Sequence, residues 1–590
     1  MKKIRKTLFL CATSAACFQT HAIDFSLGEG IRGQLNGAVT LGAQFRTESA
    51  SPDVYADWPS RALPGAARGQ LQGQTGGSDL NFGKGDPVSN VLKAVVELDL
   101  KKDNFGLFLR GSAWNDFALG QKNVAYGNYP NGFQANQPLS DRGFASSAQF
   151  SNIELRDAFF YGQFKGADQT GLDIRVGRQL LDWGGAVLHT GGINAGIHAS
   201  DYPSQQRPGA LSSEGKLPLG MLNAKWATGK LWSLEGFVAY ESRSAVLPGC
   251  GTYFDVSSFA PQGCDFAALA GASERSLLSS GSYLHRNADV KASRSGQYGV
   301  SLGYKAQPWD ADFKLYAMNT HSTLPSLRMT INTTTPGLRS VNYSMVYPED
   351  VSLFGVSFLK KFSQTTRVFG EVAYRPDQPI HLNAYDVLSG FVTRSPTSVL
   401  ALHKGIGTIP AGGTFDAYDR FGVVTGSLGV DMVYPKFMGA DRVVWLAEVG
   451  FSQVNGLPDT SVLRYGRALP YNGAAYVGGA ACLDAVSGKT CTSDGYISQR
   501  AWGLKMLVTA TYSQTISGIT LIPSILLTKD VKGYSYDGAY SEGRTLLRPA
   551  LRAEIGKNYF AEIQYSRFSG GQYNLLVDRD FVSVMAGVRF

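Results

Sequence analysis

From about residue 31 to the end, the chain repeats one pattern: apolar and polar side chains alternate over unusually long stretches. Ile31, Gly33, Leu35, Gly37, Val39, Leu41, Ala43 and Phe45 fall on one face of an extended segment. Arg32, Gln34, Asn36, Thr40, Gln44 and Arg46 fall on the other, because successive side chains of a strand point to opposite sides. Strands of globular proteins usually end within about 10 residues, and this one does not. The pattern returns with Leu92, Ala94, Val96, Leu98 and Leu100 opposite Lys93, Glu97, Asp99 and Lys101. A Lys102-Asp103-Asn104 turn follows, then Leu107, Leu109, Gly111 and Ala113 opposite Arg110, Ser112 and Asp116.

Eighteen such segments can be placed, near residues 31–46, 89–101, 105–117, 151–164, 171–182, 219–228, 231–242, 296–305, 311–321, 351–362, 366–376, 420–434, 442–454, 499–512, 518–529, 544–555, 559–568 and 580–590. The spacers alternate. Short ones (102–104, 165–170, 229–230, 306–310, 363–365, 435–441, 513–517, 556–558) separate long ones, among them 47–88, 118–150, 183–218, 243–295, 377–419 and 455–498. A wall between lipid and water needs alternating faces and full pairing of backbone polar groups. Short turns at one end and long loops at the other complete that pattern. The expectation is an all-β, closed antiparallel transmembrane β-barrel of about 18 strands, with short periplasmic turns and long extracellular loops. Pro523 and Pro549 fall inside two proposed strands, where a missing N–H predicts a bulge or a strand end.

The first 22 residues read as an address. Lys2, Lys3, Arg5 and Lys6 precede a short apolar core, Leu8 to Phe18, and Thr20-His21-Ala22 offers a cut after Ala22. The alternatives are a membrane anchor, for which the core is too short, and a lipoprotein signal at Cys17. The organisation is therefore a signal peptide, 1–22, and one barrel, 23–590, with no linker dividing it. Losing the leader's four basic side chains takes the formal charge from +8 to +4, which gives no case for nucleic acid. No later run of 18 apolar residues provides a membrane helix. Abundant glycine and aromatic residues (69 Gly, 28 Tyr, 32 Phe) suit a barrel wall and its interfacial belts.

Four cysteines remain after the leader, in two local pairs, Cys250 with Cys264 and Cys482 with Cys491. An oxidising periplasm makes two disulfide loops the natural reading; a metal site is the rival, without histidine or acid partners at zinc spacing. The chain ends Phe581-Val-Ser-Val-Met-Ala-Gly-Val-Arg-Phe590, with Phe590, Val588, Ala586, Val584 and Val582 on one face. This resembles the terminal signal read by the barrel-assembly machinery.

Several segments in order resemble the family of proteobacterial outer-membrane proteins called Domain of Unknown Function 1302. They are Gly177-Arg-Gln-Leu-Leu-Asp-Trp-Gly184, Gly191-Gly-Ile-Asn194, Arg207-Pro-Gly209, Pro248-Gly-Cys-Gly-Thr-Tyr-Phe254 with Gly263-Cys264, and Tyr347-Pro-Glu-Asp350 with Gly355. Gly370-Glu-Val-Ala-Tyr-Arg-Pro376 with Pro379 and Asn383, Gly439-Ala-Asp441, Arg464-Tyr-Gly-Arg467, Asp530-Val-Lys-Gly-Tyr534 and Asp578-Arg-Asp580 continue the series. The family pattern carries an acid after Trp183-Gly184. Here the position is Gly185, so no role of that acid is carried over. The resemblance implies the outer membrane, and contact with its lipid and lipopolysaccharide. It also implies company with periplasmic lipid-carrier proteins and inner-membrane exporters.

No cofactor site, metal site or catalytic pattern emerges from the residues. The six histidines of the mature chain (His189, His198, His285, His321, His381, His403) sit in no nucleophile–base arrangement. His189 and His198 share a Gly-rich loop and read as loop packing. The segment Ile23 to Gly30 is too short for a plug domain. Charged residues on inward faces are the candidates for the passage: Arg110, Asp116, Arg156, Asp157, Arg175, Glu235, Glu371, Arg375, Glu448, Lys505, Arg548, Arg552 and Glu562, with His189 in the loop. Both signs inside the wall imply a wet bore. Gly184, Gly185, Gly191, Gly192 and Gly196 give residues 183–218 unusual freedom, and this loop either folds inward and narrows the barrel or lies exposed. The functional expectation is a channel or transporter for small or amphipathic solutes, not an enzyme. The alternative is a component of a trans-envelope route for lipid or hydrophobic compounds, and an outer-membrane hydrolase is a third class.

Overall fold

The computed structural model describes residues 22–71, 77–269, 272–471, 492–516 and 518–590. The leader up to residue 21 and the Cys482–Cys491 pair lie outside the described residues. Eighteen long strands form the wall: β1 (Ile31–Arg46), β2 (Pro87–Lys102), β3 (Phe105–Asp116), β4 (Ser151–Lys165), β5 (Thr170–Gln179), β6 (Leu219–Thr228), β7 (Trp232–Ala239), β8 (Tyr298–Ala306) and β9 (Ala311–Thr320). The second half is β10 (Val351–Lys361), β11 (Thr366–His381), β12 (Tyr418–Phe437), β13 (Ala440–Asn455), β14 (Arg500–Ile516), β15 (Ile519–Lys532), β16 (Thr545–Ile555), β17 (Tyr559–Ser569) and β18 (Phe581–Arg589). Each pairs antiparallel with the next. β1 closes on β18 from Ala38↔Arg589 to Arg46↔Phe581. The result is a closed antiparallel barrel in which chain neighbours are always wall neighbours.

Closure leaves the lower edge of β1 unpaired, because β18 reaches only to Ala38. A short strand, Ile23–Leu27, folds back to fill it, pairing Ile23 with Leu35 and Leu27 with Ile31. The sequence reading left that segment without a strand; its pairing partner is an edge that exists only after closure. At the junction, Gly37 and Phe590 exchange both backbone hydrogen bonds (2.8 and 3.0 Å). The Phe590 ring lies over Gly37, where a Cβ would meet it at 2.4 Å. Ring over glycine recurs at Phe25 and Gly33.

The prolines correct an expectation: neither ends a strand nor forms a bulge. β15 and β16 pair Pro523 with Leu551 and Ile525 with Pro549 in one register. On its other side, the β14–β15 ladder stops at Thr509↔Ser524 and resumes at Tyr512↔Leu521, in register. The β16–β17 ladder likewise passes from Leu547↔Arg567 to Ala550↔Gln564. Each proline thus interrupts pairing on one side only, as a residue with no N–H to donate requires.

The outer surface is greasy, with Leu41, Val96, Leu155, Val300, Leu315, Val372, Leu428 and Leu504 exposed. Two aromatic belts flank it. Phe105, Trp226, Trp232, Trp309, Phe362, Phe437 and Tyr559 are exposed near the turn end, and Tyr240, Tyr298, Tyr374, Phe451 and Trp502 toward the loop end. Belts of this kind mark the two water–lipid interfaces.

The long loops build a packed roof. Strands Ser326–Ile331, Val341–Val346 and Thr414–Asp416 form a small sheet. It shares a core with helix Ala384–Thr393, through Met329, Tyr343, Leu388 and Phe391. The Cys250–Cys264 disulfide is present, buried beside Phe144, Phe150 and Tyr253. Buried ion pairs tie the loops to the wall and to one another: Arg46 of β1 with Asp578 (2.7 Å), Arg579 with Asp79 (2.8 Å) and Arg464 with Asp386 (2.7 Å).

A bulky residue at the closure point should be costly. Gly37→Leu would drive its side chain into the Phe590 ring, an overpacking penalty of about 1–3 kcal/mol. We expect it to lower the fraction of heat-modifiable, folded barrel recovered in detergent, and Gly37→Ala to do so less. Equal recovery of all three proteins would show that the ring–glycine contact does not hold the seam.

Candidate functional site

The chain leaves β5 at Gln179 and enters β6 at Leu219. Between them it passes through the bore and touches both walls. Trp183, buried, packs against Phe237 of β7 and Tyr316 of β9 (ring centroids 5.3 and 5.5 Å). The next residues run along the inner faces of β10 to β14. Gly184 N–H donates to Tyr316 Oη (3.2 Å), which bonds Ser357 Oγ of β10 (2.9 Å).

Two wall carboxylates then take over. Glu371 of β11 accepts from the N–H groups of Gly185 (2.6 Å), Ala186 (3.1 Å) and Ile193 (2.9 Å). Glu448 of β13 accepts from those of Val187 (3.2 Å), Leu188 (2.5 Å) and His189 (3.2 Å). Wall cations bond the loop's carbonyls: Arg375 Nη2 donates to Gly192 O (2.7 Å) and Gly191 O (3.3 Å), and Lys505 Nζ to Leu188 O (3.0 Å). A loop in the bore must satisfy its backbone without a ladder, and charged wall groups do so with the stronger, charge-assisted bonds.

Glycine is required where the loop meets the wall. A Cβ on Gly192 would lie 1.8 Å from Glu371 Oε1, and one on Gly185 would lie 2.5 Å from Gly370 O. Here the missing side chain lets the backbone close on Glu371.

The second half of the loop docks on the other wall. Arg207 stacks over Trp114 of β3 (4.0 Å to the ring centroid), and Lys93 of β2 bonds Gly209 O (2.8 Å) and Glu214 (2.6 Å). Gln44 of β1 bonds Gln206 O (3.0 Å). Arg156 of β4, fully buried, binds Asp201 (2.9 Å) and the carbonyls of Glu214 and Lys216 (2.9 and 2.8 Å). Arg156 and its neighbour Asp157 both point inward because the β3–β4 register slips between Arg110↔Asp157 and Gly111↔Leu155, a bulge that re-aims one side chain.

Of the sequence-derived candidates, Arg156, His189, Glu371, Arg375, Glu448 and Lys505 meet at this loop. Arg110 instead bridges Glu97 (2.7 Å) and Asp157 (3.1 Å) on the wall. Arg175 lies over Phe159. Glu235 accepts from Asn223 (3.4 Å), and Arg548 donates to Ser566 Oγ (3.1 Å). Arg552 bridges Glu554 and Glu562 (2.6 and 3.1 Å). Asp116 lies at the end of the β3 face that carries Arg110 and Trp114. It caps helix Phe117–Gln121 through the N–H groups of Ala118 and Leu119 and accepts from Ser89 Oγ. The strand ends there, and a helix start needs an acceptor. Lys93, Gln44, Tyr316 and Arg207 were not among the candidates for the passage, although Gln44 and Lys93 stand on polar faces read from the sequence and Arg207 lies in a family segment. The polar face of β2 is visible as pattern, but what packs on it is not.

This arrangement involves the Trp183-Gly184, Gly191-Gly192 and Arg207-Pro-Gly209 segments together. The model of the family described as "Protein of unknown function (DUF1302)" matches residues 3–590. The chain belongs to this family. No curated protein matches this DUF1302 chain. Similar solved structures include the outer membrane channel DcaP of Acinetobacter baumannii: 8% identity, TM-score 0.36, 96% of this chain and 99% of that one. OccAB1 of the same organism gives 9% identity and a TM-score of 0.40, covering 97% and 98%. OccAB4, also from that organism, gives 10% and 0.39, covering 95% and 97%.

Two histidines hold the loop of this DUF1302 chain in their neutral forms. His198 Nε2 accepts from Leu181 N–H (2.8 Å), so Nδ1 carries the proton and donates to Leu217 O (3.2 Å). Burial first, and Lys216 second, push its pKa down to about 4. His189 contacts Tyr540 Oη and Glu448 O (3.1 and 3.2 Å); burial and then Lys505 lower it likewise to about 4. A folded pKa below the unfolded one means the docked loop is fully stabilised above about pH 6.5 and loses stability as pH falls toward 4. The loss approaches about 3 kcal/mol for a fully buried imidazole. Hydrogen exchange at the Leu181 amide, corrected for intrinsic rate, should therefore be slow at pH 7 and markedly faster at pH 4.5. Equal protection at both pH values would rule the histidine anchor out.

Proposed function

We propose that this chain is an outer-membrane channel for small or amphipathic solutes, whose bore is restricted by its own loop 180–218. The single observation carrying the reading is the six backbone N–H groups of that loop received by Glu371 and Glu448 on the inner wall. A barrel of this many strands is wide enough for an aqueous passage. A segment crossing it sets the effective width and charge. No reaction is assigned to the chain; the charged wall groups that meet the loop hold its backbone.

The lipid-route alternative is the weaker reading, because the bore wall carries Glu97, Arg110, Asp157, Arg552, Glu554 and Glu562 in ion pairs. Such groups suit a hydrated solute more than an acyl chain. Contact with periplasmic lipid carriers and inner-membrane exporters belongs to that alternative.

The test is planar-bilayer conductance of the purified protein. Glu371→Ala with Glu448→Ala removes acceptors whose charged hydrogen bonds contribute about 1.5–3 kcal/mol each. The double variant should release the loop and give a larger single-channel conductance than the parent. Deleting residues 184–198 should do the same. Unchanged conductance in both variants would defeat the restricted-channel reading, and co-purified lipid in a barrel that never conducts would favour the alternative.

A further inference from the structure

Between the loop and the turn end, β2 to β5 line an open recess of about 280 Å³ that no loop residue enters. That volume is near the lower limit of small-ligand sites. It opens into the bore rather than the lipid: Phe159 and Tyr161 line it, and Phe160 between them is exposed on the outer surface. Its wall joins two kinds of group that are rarely left together without a purpose.

One is an aromatic shelf. Phe108 and Phe159 are cross-strand partners with ring centroids 5.2 Å apart and planes 31° off parallel. Tyr161 extends the shelf, 6.3 Å from Phe159. Gly177 stands opposite Phe159 in the register and adds no side chain beside the ring. The other is a cation. Arg175 places its guanidinium 5.6 Å from the Phe159 centroid. Its register neighbours are Tyr161 on β4 and Asn223 on β6, both uncharged. Among the described residues it has no carboxylate partner.

Two other charges of the cavity are hydrogen-bonded. Asp99 accepts from Tyr161 Oη (2.7 Å), and Lys101 donates to Gln163 (3.2 Å). Asp173 stands opposite Lys225 of β6. Arg110, over Phe108, is held by Glu97 and Asp157. Arg175 is the lining cation that stands beside this flat apolar surface.

We propose that this cavity is a binding site for a planar aromatic carboxylate of one ring, its ring laid on Phe108 and Phe159 and its carboxylate paired with Arg175. A guanidinium fork matches a carboxylate with two parallel hydrogen bonds, and a ring stacks on rings in offset geometry. A saturated ring meets the shelf with less contact. The proposal rests on the channel reading in one respect: such a site would be the inner resting place of a solute that has passed the loop.

The experiment is equilibrium titration of benzoate into the full, processed barrel in detergent micelles, which needs no conduction. Benzoate should bind the parent protein. Arg175→Gln should weaken it at least about tenfold, the loss expected for one charge-assisted contact, and separately Phe159→Leu should weaken it severalfold, the loss expected for one ring–ring contact. Benzyl alcohol, cyclohexanecarboxylate and benzylamine should each bind more weakly than benzoate. The site is refuted if benzoate does not bind, if both folded variants bind it as the parent does, or if benzylamine binds best. Benzoate binding through Arg175 in a barrel that conducts no ions, even with Glu371 and Glu448 replaced, would sink the channel reading and leave the site standing.

Discussion

A backbone amide inside hydrocarbon has no water to bond, so a wall of strands is tolerable only when the last strand meets the first. Here that meeting is β18 on β1, completed by the Ile23–Leu27 strand along the remaining edge. The same demand governs the interior. The loop that enters the bore carries its own unpaired N–H and C=O groups, and the wall answers with carboxylates for the first and cations for the second. Wall and loop are thus two solutions to one problem, ladder pairing outside and charge-assisted pairing inside.

The second solution explains why the bore is charged where it is. Glu371, Arg375, Glu448 and Lys505 could be read as a selectivity ring if the bore were empty. With the loop in place, they are structural anchors whose charge is largely turned toward backbone dipoles. Charges outside the anchor set behave differently. Arg110 and Arg552 each sit between two acids, whereas Arg175 faces aromatic rings and an open cavity. Solute recognition should therefore be sought among groups that the loop and the wall leave unused.

The wall was legible in the sequence because it obeys a local rule. Alternation fixes which side chains face lipid; β1 and β6 follow from it residue by residue, and the eight short turns fall in their expected order, two of them (435–441 and 513–517) shortened by strands that run on to Phe437 and Ile516. The roof was not legible. Its sheet of residues 326–331, 341–346 and 414–416 joins segments far apart in the chain, a pairing without a local signal. The inward course of loop 180–218 was half visible: its glycines marked close approach, but not what was approached. The cap that Asp116 provides was not legible either, since a polar residue at a strand end can serve the helix that follows. Arg156 and Asp157, adjacent yet both inward, are reconciled only by a bulge that alternation cannot foretell.

The central claim is that residues 183–193 lie against β10 and β11 inside the folded barrel. Disulfide trapping tests it most directly. A Cβ built on Gly355 of β10 would lie 3.0 Å from Ile193 Cγ1, so Ile193→Cys with Gly355→Cys brings two thiols within bonding reach. The account predicts that mild oxidation of the folded, membrane-inserted protein links them nearly completely, with a mobility shift reversed by reductant. Two thiols that stay unlinked in the folded barrel, although both react with a maleimide after unfolding, would contradict it.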